Sequence, residues 1–462
     1  MKKKYILLLT AVVIIIFITL ILINNKHKIF SNTTKIDDKL TTDINNEQTN
    51  IDWSNYKTYE LNLTESKTIT EEGIYYITGT IDNGSLTINT DGYIKLILDN
   101  VSINNNNGPA INIENAKATY IELKNKNTLV DGEKSENDGA IFSKDDLIIE
   151  GDGILNITAN NQDGIVSKDN LILNGGNITI NSKDDGIRGK DSVVINDCNL
   201  KINSEGDGIK STNDQDGEKG YILINNGNID INSKLDGIQA TTKLVIHDGN
   251  INIKTTKTDN QESEKGLKAD ILIEINGGTF NINTTDDAIH TNGNITINGG
   301  NFTLTSKDDA IHANCMIEIN KGIFEITADE GIEATNIKIN DGNININASD
   351  DGINAIQKSK EYETVVEING GNIIITMGNG DTDGVDSNGD IIINGGTINV
   401  TGNSTFDYDG EGTINGGTVI CNGEKVTTLP NQIMGGSNMR NQGFTPENSN
   451  MNRMRQKGRS MQ

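Results

Sequence analysis

Glycine, or alanine in its place, returns about every 22 residues through most of this chain, at Gly139, Gly164, Gly186, Gly208, Gly237, Gly266, Ala288, Ala310, Gly331, Gly352 and Gly384. A fixed period of this length points to stacked repeats, because one such unit cannot bury its apolar face alone. One unit shows the grammar: Leu171 opens Leu-Ile-Leu-Asn-Gly-Gly, Asn177 opens Asn-Ile-Thr-Ile, and Asn181 opens Asn-Ser-Lys-Asp-Asp-Gly-Ile. At a strand rise of about 3.3 Å per residue, such a unit suits one coil of a three-sided β-helix. The longer steps carry polar insertions at 213–219, 258–264 and 357–363, which a solenoid can loop out at a corner without breaking the stack.

Within each unit apolar and polar residues alternate, as in Leu171, Leu173, Ile178 and Ile180, which is strand periodicity with one face turned inward. Helical spacing is absent from the repeats. Hydrophobic residues make up 34% of the chain and aromatics 4%, too little for a conventional core but enough for thin, uniform isoleucine layers. Asn-Gly-Gly and Asp-Gly mark the corners, where Gly and Asn accept left-handed backbone angles. Parallel crossovers are overwhelmingly right-handed, so the expected fold is all-β, a right-handed parallel β-helix. The less regular stretch 58–131 is expected to cap one end and protect its edge.

The flanks read differently. Lys2, Lys3 and Lys4 precede an unbroken apolar run from Ile6 to Ile23, long enough to cross a bilayer as one helix, with the rest exported by the positive-inside rule. No small-x-small cleavage site follows, so residues 1–24 are expected to stay as a transmembrane signal anchor; cleavage and secretion is the alternative. Residues 25–57 read as a flexible polar linker, 58–424 as the β-helix, and 425–462 as a disordered Met-, Asn- and Gly-rich tail with basic residues. The expected location is the cell surface, and the expected state a monomer. Cys198, Cys315 and Cys421 lie far apart and read as small buried hydrophobes, with no disulfide framework or zinc site. With 39 Lys+Arg against 65 Asp+Glu, the formal charge is -26, which repels nucleic acid.

The chemistry lies at the Asp-Asp-Gly corner. Doublets stand at Asp184-Asp185, Asp286-Asp287, Asp308-Asp309 and Asp350-Asp351, with single or substituted forms at Asp163, Asp207, Asp236, Glu330 with Glu333, and Asp383. Stacking brings them to about 4.8 Å apart. Two carboxylates at about 5 Å repel by roughly 3 kcal/mol at an effective dielectric near 20. A calcium ion at about 2.3–2.6 Å from each oxygen bridges that gap. The candidate calcium ligands are Asp184, Asp185, Asp207, Asp286, Asp287, Asp308, Asp309, Glu330, Glu333, Asp350, Asp351, Asn354, Asp383 and Asp386. The bland alternative is that Asp-Gly is simply a favoured, solvent-exposed turn. His290 and His312 follow their doublets at one offset, and either contact sugar, ligate a transition metal or point to solvent.

At these residues the sequence resembles a family of bacterial surface proteins with a calcium-containing, right-handed β-helical carbohydrate-binding domain, similar to family 9 polysaccharide lyases. The resemblance runs from about Thr68 to Cys421. It is carried by the Ile69 to Thr80 opening, Leu96 to Val101, the two Asp-Asp-Ala-Ile-His corners, Glu330 to Ala334, Asp350 to Ala355, Asp383 to Gly389 and Phe406 to Gly410. It implies binding of plant cell-wall polysaccharide, including cellulose and acidic polymers such as polygalacturonate, with calcium held by the corner acids. Met316, Lys321 and Cys198 depart from the small or polar turn residues expected there, which leaves the ligand set open.

Related lyases use a lysine base, and Lys210 is the best-placed candidate here. Surrounding carboxylates favour its charged form, and Arg188 is the single arginine of the repeats, so a non-catalytic binder is expected, with a pectate-type lyase as alternative. Trp53 is the only Trp and falls in or near the linker. Sugar contact is therefore expected from calcium-bridged acids, the Asn rows, Lys210, His290, His312 and Tyr408, with Tyr362 secondary. A third alternative is a structural adhesin whose metals only stiffen the solenoid.

Overall fold

A computed structural model describes residues 51–134, 136–256, 263–378 and 382–431. The anchor expected over 1–24, most of the linker and most of the tail lie outside these residues. Among the described residues, no helix is long and apolar enough to cross a membrane.

Among the described residues the fold is all-β: one continuous ladder of 43 strands, with one 3-10 turn at Trp53–Asn55. Each coil contributes three short strands. Asn170–Leu173, Asn177–Ser182 and Ile187–Gly189 form one coil. Each pairs in parallel with its counterpart in the next coil, placing Leu171 beside Val193, Ile178 beside Leu200 and Ile187 beside Ile209. The pairings continue coil by coil to the end of the ladder, as in a β-helix solenoid. Only the last pair reverses: Glu424–Val426 runs antiparallel to Thr418–Cys421.

Parallel registry puts like residues on like, so the interior is built of rungs. Ile180, Ile202, Ile231 and Ile253 stack on successive coils and are almost fully buried. Each such side chain contributes about 1.5–3 kcal/mol relative to an exposed one. Phe280, Phe302 and Phe324 form an aromatic rung with ring centroids 4.7 and 4.6 Å apart and planes within 4°. Cys198 and Cys315 are buried, Cys421 is half-buried, and all three are free thiols.

The two glycine corners differ. Gly300 and Gly322 of the Asn-Gly-Gly type have φ of 118° and 142°, and a Cβ there would also strike Phe302 or Phe324. The glycines of the Asp-Asp-Gly corner, Gly186 and Gly352, have no such angle. At Gly186 the demand is for space, because a Cβ would lie 2.4 Å from Ile202 Cγ2 and 2.6 Å from the Gly208 carbonyl oxygen. That corrects the expectation that both corners need left-handed backbone; the backbone angle of the second admits alanine, which stands there at Ala288 and Ala310.

The boundaries also shift. The stretch expected to be a cap, 58–131, is itself solenoid: Thr58–Leu63 pairs in parallel with Gly73–Ile81, and that strand with Tyr93–Asn104. Within the stretch expected to be linker, Trp53 packs edge-on against Tyr120 with centroids 5.3 Å apart. At the other end Leu429 is buried, so order extends past 424.

Candidate functional site: an acid column whose counter-charge changes along the axis

The third strand of each coil carries the site. Its inward residue stacks from Ile165 through Ile187, Ile209, Ile238, Leu267, Ile289, Ile311, Ile332 and Ile353 to Val385 and Phe406. Two residues earlier stands the corner acid, and one residue later an outward side chain. In chain order that outward column reads Val166, Arg188, Lys210, Gln239, Lys268, His290, His312, Glu333, Asn354, Asp386 and Asp407. Its sign reverses near the middle.

In the first half the corner acids are knitted to the backbone and to cations. Asp163, Asp185 and Asp207 each accept, through Oδ1, the backbone N–H of the next coil's acid at 2.8–3.0 Å. Their other oxygens face the outward column. Arg188 pairs with Asp138 and Asp163, Lys210 with Asp207 at 2.7 Å and Asp185 at 3.6 Å, and Lys268 with Asp236 at 2.9 Å. Burial, followed by repulsion from Asp207, still pushes Asp185 up to about 8, so the cations offset only part of the cost of stacking acids in a dry place. Burial works to lower Lys210, but Asp207 and Asp185 outweigh it and hold the amine above its ordinary range.

Lys265 replaces the corner acid at the centre. It bridges Asp286 and Asp287 at 2.7 and 2.8 Å. The imidazoles of His290 and His312 stack on adjacent coils with centroids 4.7 Å apart, and their Nδ1 atoms meet Asp287 at 2.7 Å and Asp309 at 2.5 Å. His312 is 8% exposed, so it does not point to solvent. Burial lowers both histidines. Burial opposes charge on Asp287 too, yet the bond from His290 and the nearby Lys265 hold its carboxyl well below the usual range.

Beyond His312 the outward column is itself acidic or amide, and acids accumulate. Lys358, from the 357–363 insertion, pairs with Glu333. Asn354 donates Nδ2 to Glu330 at 2.9 Å and Glu333 at 3.1 Å. Its Oδ1 is buried with no hydrogen-bond partner. Burial, then repulsion from Glu333 and Asp309, pushes Glu330 up to about 9. Burial, with repulsion among Asp383, Asp350, Asp386 and Asp407, pushes Asp351 and Asp386 up to about 7. This is a group of carboxylates short of positive charge, beside an orphaned amide oxygen.

The sequence-predicted residues therefore fall into distinct settings. Asp185, Asp207 and Lys210 share the salt-bridged half, and Asp184 is exposed at its edge. Asp286, Asp287 and Asp308 come within 4.8 Å of one another, as do Asp309, His312 and Glu333. Glu330, Glu333 and Asn354 are joined by hydrogen bonds, and Asp351 accepts the backbone N–H of Asp383 at 3.0 Å. Tyr408 stands apart: its ring packs over Gly412 and its hydroxyl donates to the Leu429 carbonyl at 3.3 Å. The Asn rows bond among themselves. Asn298, Asn320, Asn340 and Asn369 each donate Nδ2 to the amide oxygen one coil earlier at 2.7–2.9 Å, which occupies the amides expected to meet sugar. Sequence reading missed Lys265, Lys358 and the counter-ion role of Arg188 and Lys268. For Arg188 and Lys268 the signal was the offset of three residues after the corner position; for Lys265 and Lys358 the repeat offered none.

A family model described as carbohydrate-binding domain-containing protein matches residues 64–310 and 306–429. A protein of that description from Acetivibrio thermocellus is 32% identical over 126 residues, covering 25% of this chain and 44% of that protein. The chain thus spans less than half the length of that relative. A solved structure of a polysaccharide lyase-like protein from C. thermocellum is 27% identical, with a TM-score of 0.42 over 49% of this chain and 95% of that one. The family match extends over most of the solenoid, including both halves of the acid column, and on that ground the chain belongs to the carbohydrate-binding domain-containing protein family.

Proposed function

We propose that the protein is a non-catalytic, calcium-dependent binder of acidic cell-wall polysaccharide, held at the cell surface as a monomer by a membrane helix over 1–24. The observation that carries this reading is the cation-poor half of the column: the buried Oδ1 of Asn354 has no partner, its Nδ2 donates to Glu330 and Glu333, and Asp386 stands in register with it on the next coil. The donor set is all oxygen, which suits a hard divalent cation. Calcium, when bound there, would supply the positive charge that a uronate needs. Glu330, Asn354, Asp351 and Asp386 would hold the ion, with Asp383 beside them, while Glu333 is already paired with Lys358. The protein's own chemistry is positioning: solenoid registry fixes these oxygens on successive coils before any ligand arrives.

The earlier half fits calcium poorly, since Arg188, Lys210 and Lys268 already stand against its acids. Lys265 holds the same place at Asp286 and Asp287. Two features support a binder over a lyase. Lys210 is locked to Asp207 and kept protonated, so it is unsuited to remove a proton, and no arginine other than Arg188 lies in the repeats to clamp a polyanion. The expected right-handed winding follows from the crossover rule.

Calorimetry with polygalacturonate tests the reading. Binding in calcium that vanishes in excess chelator is the expected result; undiminished binding in chelator, or release of unsaturated uronide, would contradict it.

A further inference from the structure

The chain is poor in aromatics, yet its single Trp and six of its 10 Tyr fall between residues 53 and 120. There the structure forms a cleft of about 900 Å³ lined by Tyr56, Tyr59, Tyr93, Asn55, Glu71 and Glu72, at the upper end of the roughly 300–1,000 Å³ typical of small-molecule sites. We propose that this N-terminal cleft is a second glycan site, which takes neutral pyranose chains without calcium. Unlike the acid column, part of its wall is made by residues 51–59, which precede the residues matched to the family.

The walls are fixed before any ligand binds. Tyr59 stacks on Tyr75 with centroids 4.6 Å apart and planes at 10°, and its hydroxyl donates to Glu71 Oε2 at 2.5 Å. The Tyr75 hydroxyl donates to the Glu71 carbonyl at 2.8 Å. Tyr56 leans on Trp53 at 5.0 Å, which in turn is seated on Tyr120. Gly92 opens room beside Glu72, whose Cβ lies 2.5 Å from where a Cβ on Gly92 would stand.

Two lysines report what the rings attract. Lys57 Nζ stands 4.6 Å from the Tyr59 centroid and Lys117 Nζ stands 5.4 Å from that of Tyr93. The negative π face that draws an ammonium also draws the polarised C–H face of a pyranose, while Asn55 and the carboxylates that line the same cleft are acceptors for its hydroxyl protons. Charge selects the class. Asp52, Glu71 and Glu72 outnumber Lys57 in the cleft, so a uronate is repelled and a neutral sugar is not.

The test uses the full chain and a β-1,4-linked glucose hexamer, titrated by calorimetry with calcium and then with excess chelator. Saturable binding unchanged by chelator is expected, weakened about tenfold in Tyr93→Ala and Tyr56→Ala and kept in Tyr93→Phe. Unfolding temperature and polygalacturonate binding of each variant, measured on the same preparations, should match the parent and so separate loss of this site from loss of the fold. Because polygalacturonate binding reads the acid column, its failure would count against the calcium site alone. Absence of hexamer binding, its loss in chelator, unchanged binding in both alanine variants, or binding that appears only after residues 1–50 are removed would overturn the proposal.

Discussion

The two halves of the acid column follow one backbone plan and differ in a single outward side chain per coil. Between Val166 and Lys268 that position brings Arg188, Lys210 and Lys268 against Asp163, Asp207 and Asp236. Between Glu333 and Asp407 it brings further acids and an amide. Stacked carboxylates repel in either place; the first half answers with covalently attached cations, whereas the second has Lys358 against Glu333 and, as we propose, a bound ion. A repeat fold can thus keep its geometry constant while one column sets which coils carry their own counter-charge.

The largest effect expected from breaking this arrangement is in the first half. Arg188→Ala leaves Asp138 and Asp163 without their shared partner, and removal of one member of such a buried network costs on the order of 3–5 kcal/mol. Chemical denaturation measures it, and calcium should not restore the loss. Within the core that serves both halves, Phe302→Leu interrupts the stacked rung between Phe280 and Phe324; a cost of about 1–3 kcal/mol is expected by the same method.

A smaller and more diagnostic effect is pH dependence. Burial, with repulsion from neighbouring acids, pushes Glu330, Asp351 and Asp386 up to about 9, 7 and 7, against ordinary carboxylates near 4. The folded state therefore binds more protons. Their contribution is complete below about pH 4 and is lost as pH rises through the folded values. In chelator the unfolding temperature should rise as pH falls from about 8 to about 5.5. Calcium should flatten that slope. Asp185, raised to about 8, adds to it from the first half, so Asp351→Asn with Asp386→Asn should remove part of the slope and not all. A slope of the opposite sign would break the comparison. Smallest of all, Asn320→Ala should cost about 0.5–1.5 kcal/mol by opening the amide ladder between Asn298 and Asn340.

Much of the fold was legible because a solenoid writes its registry into its period: the spacing of Gly164, Gly186 and Gly208 is the spacing of the coils. The alternation at Ile178 and Ile180 named the inward face, and the burial pattern agrees. The site was legible only in part. Lys210, His290, His312, Glu333, Asn354 and Asp386 were legible one by one, as sugar contacts or calcium ligands, but not joined into one outward column, where Lys210 and Glu333 decide between a salt bridge and a cation-poor pocket. Lys265 and Lys358 were illegible as partners because an insertion precedes one and holds the other, so neither sits where the repeat alone would put a counter-ion. Trp53 was assigned to the linker on composition, since its contacts with Tyr56 and Tyr120 join residues that no local pattern relates.

The most direct measurement is a calcium titration by calorimetry on three proteins: the parent, Asp351→Asn with Asp386→Asn, and Asp207→Asn. The account predicts that the first variant loses calcium binding and that Asp207→Asn keeps it. Calcium binding that survives in the first variant, or disappears in Asp207→Asn, would contradict the division of the column into a self-neutralised half and a metal-requiring half.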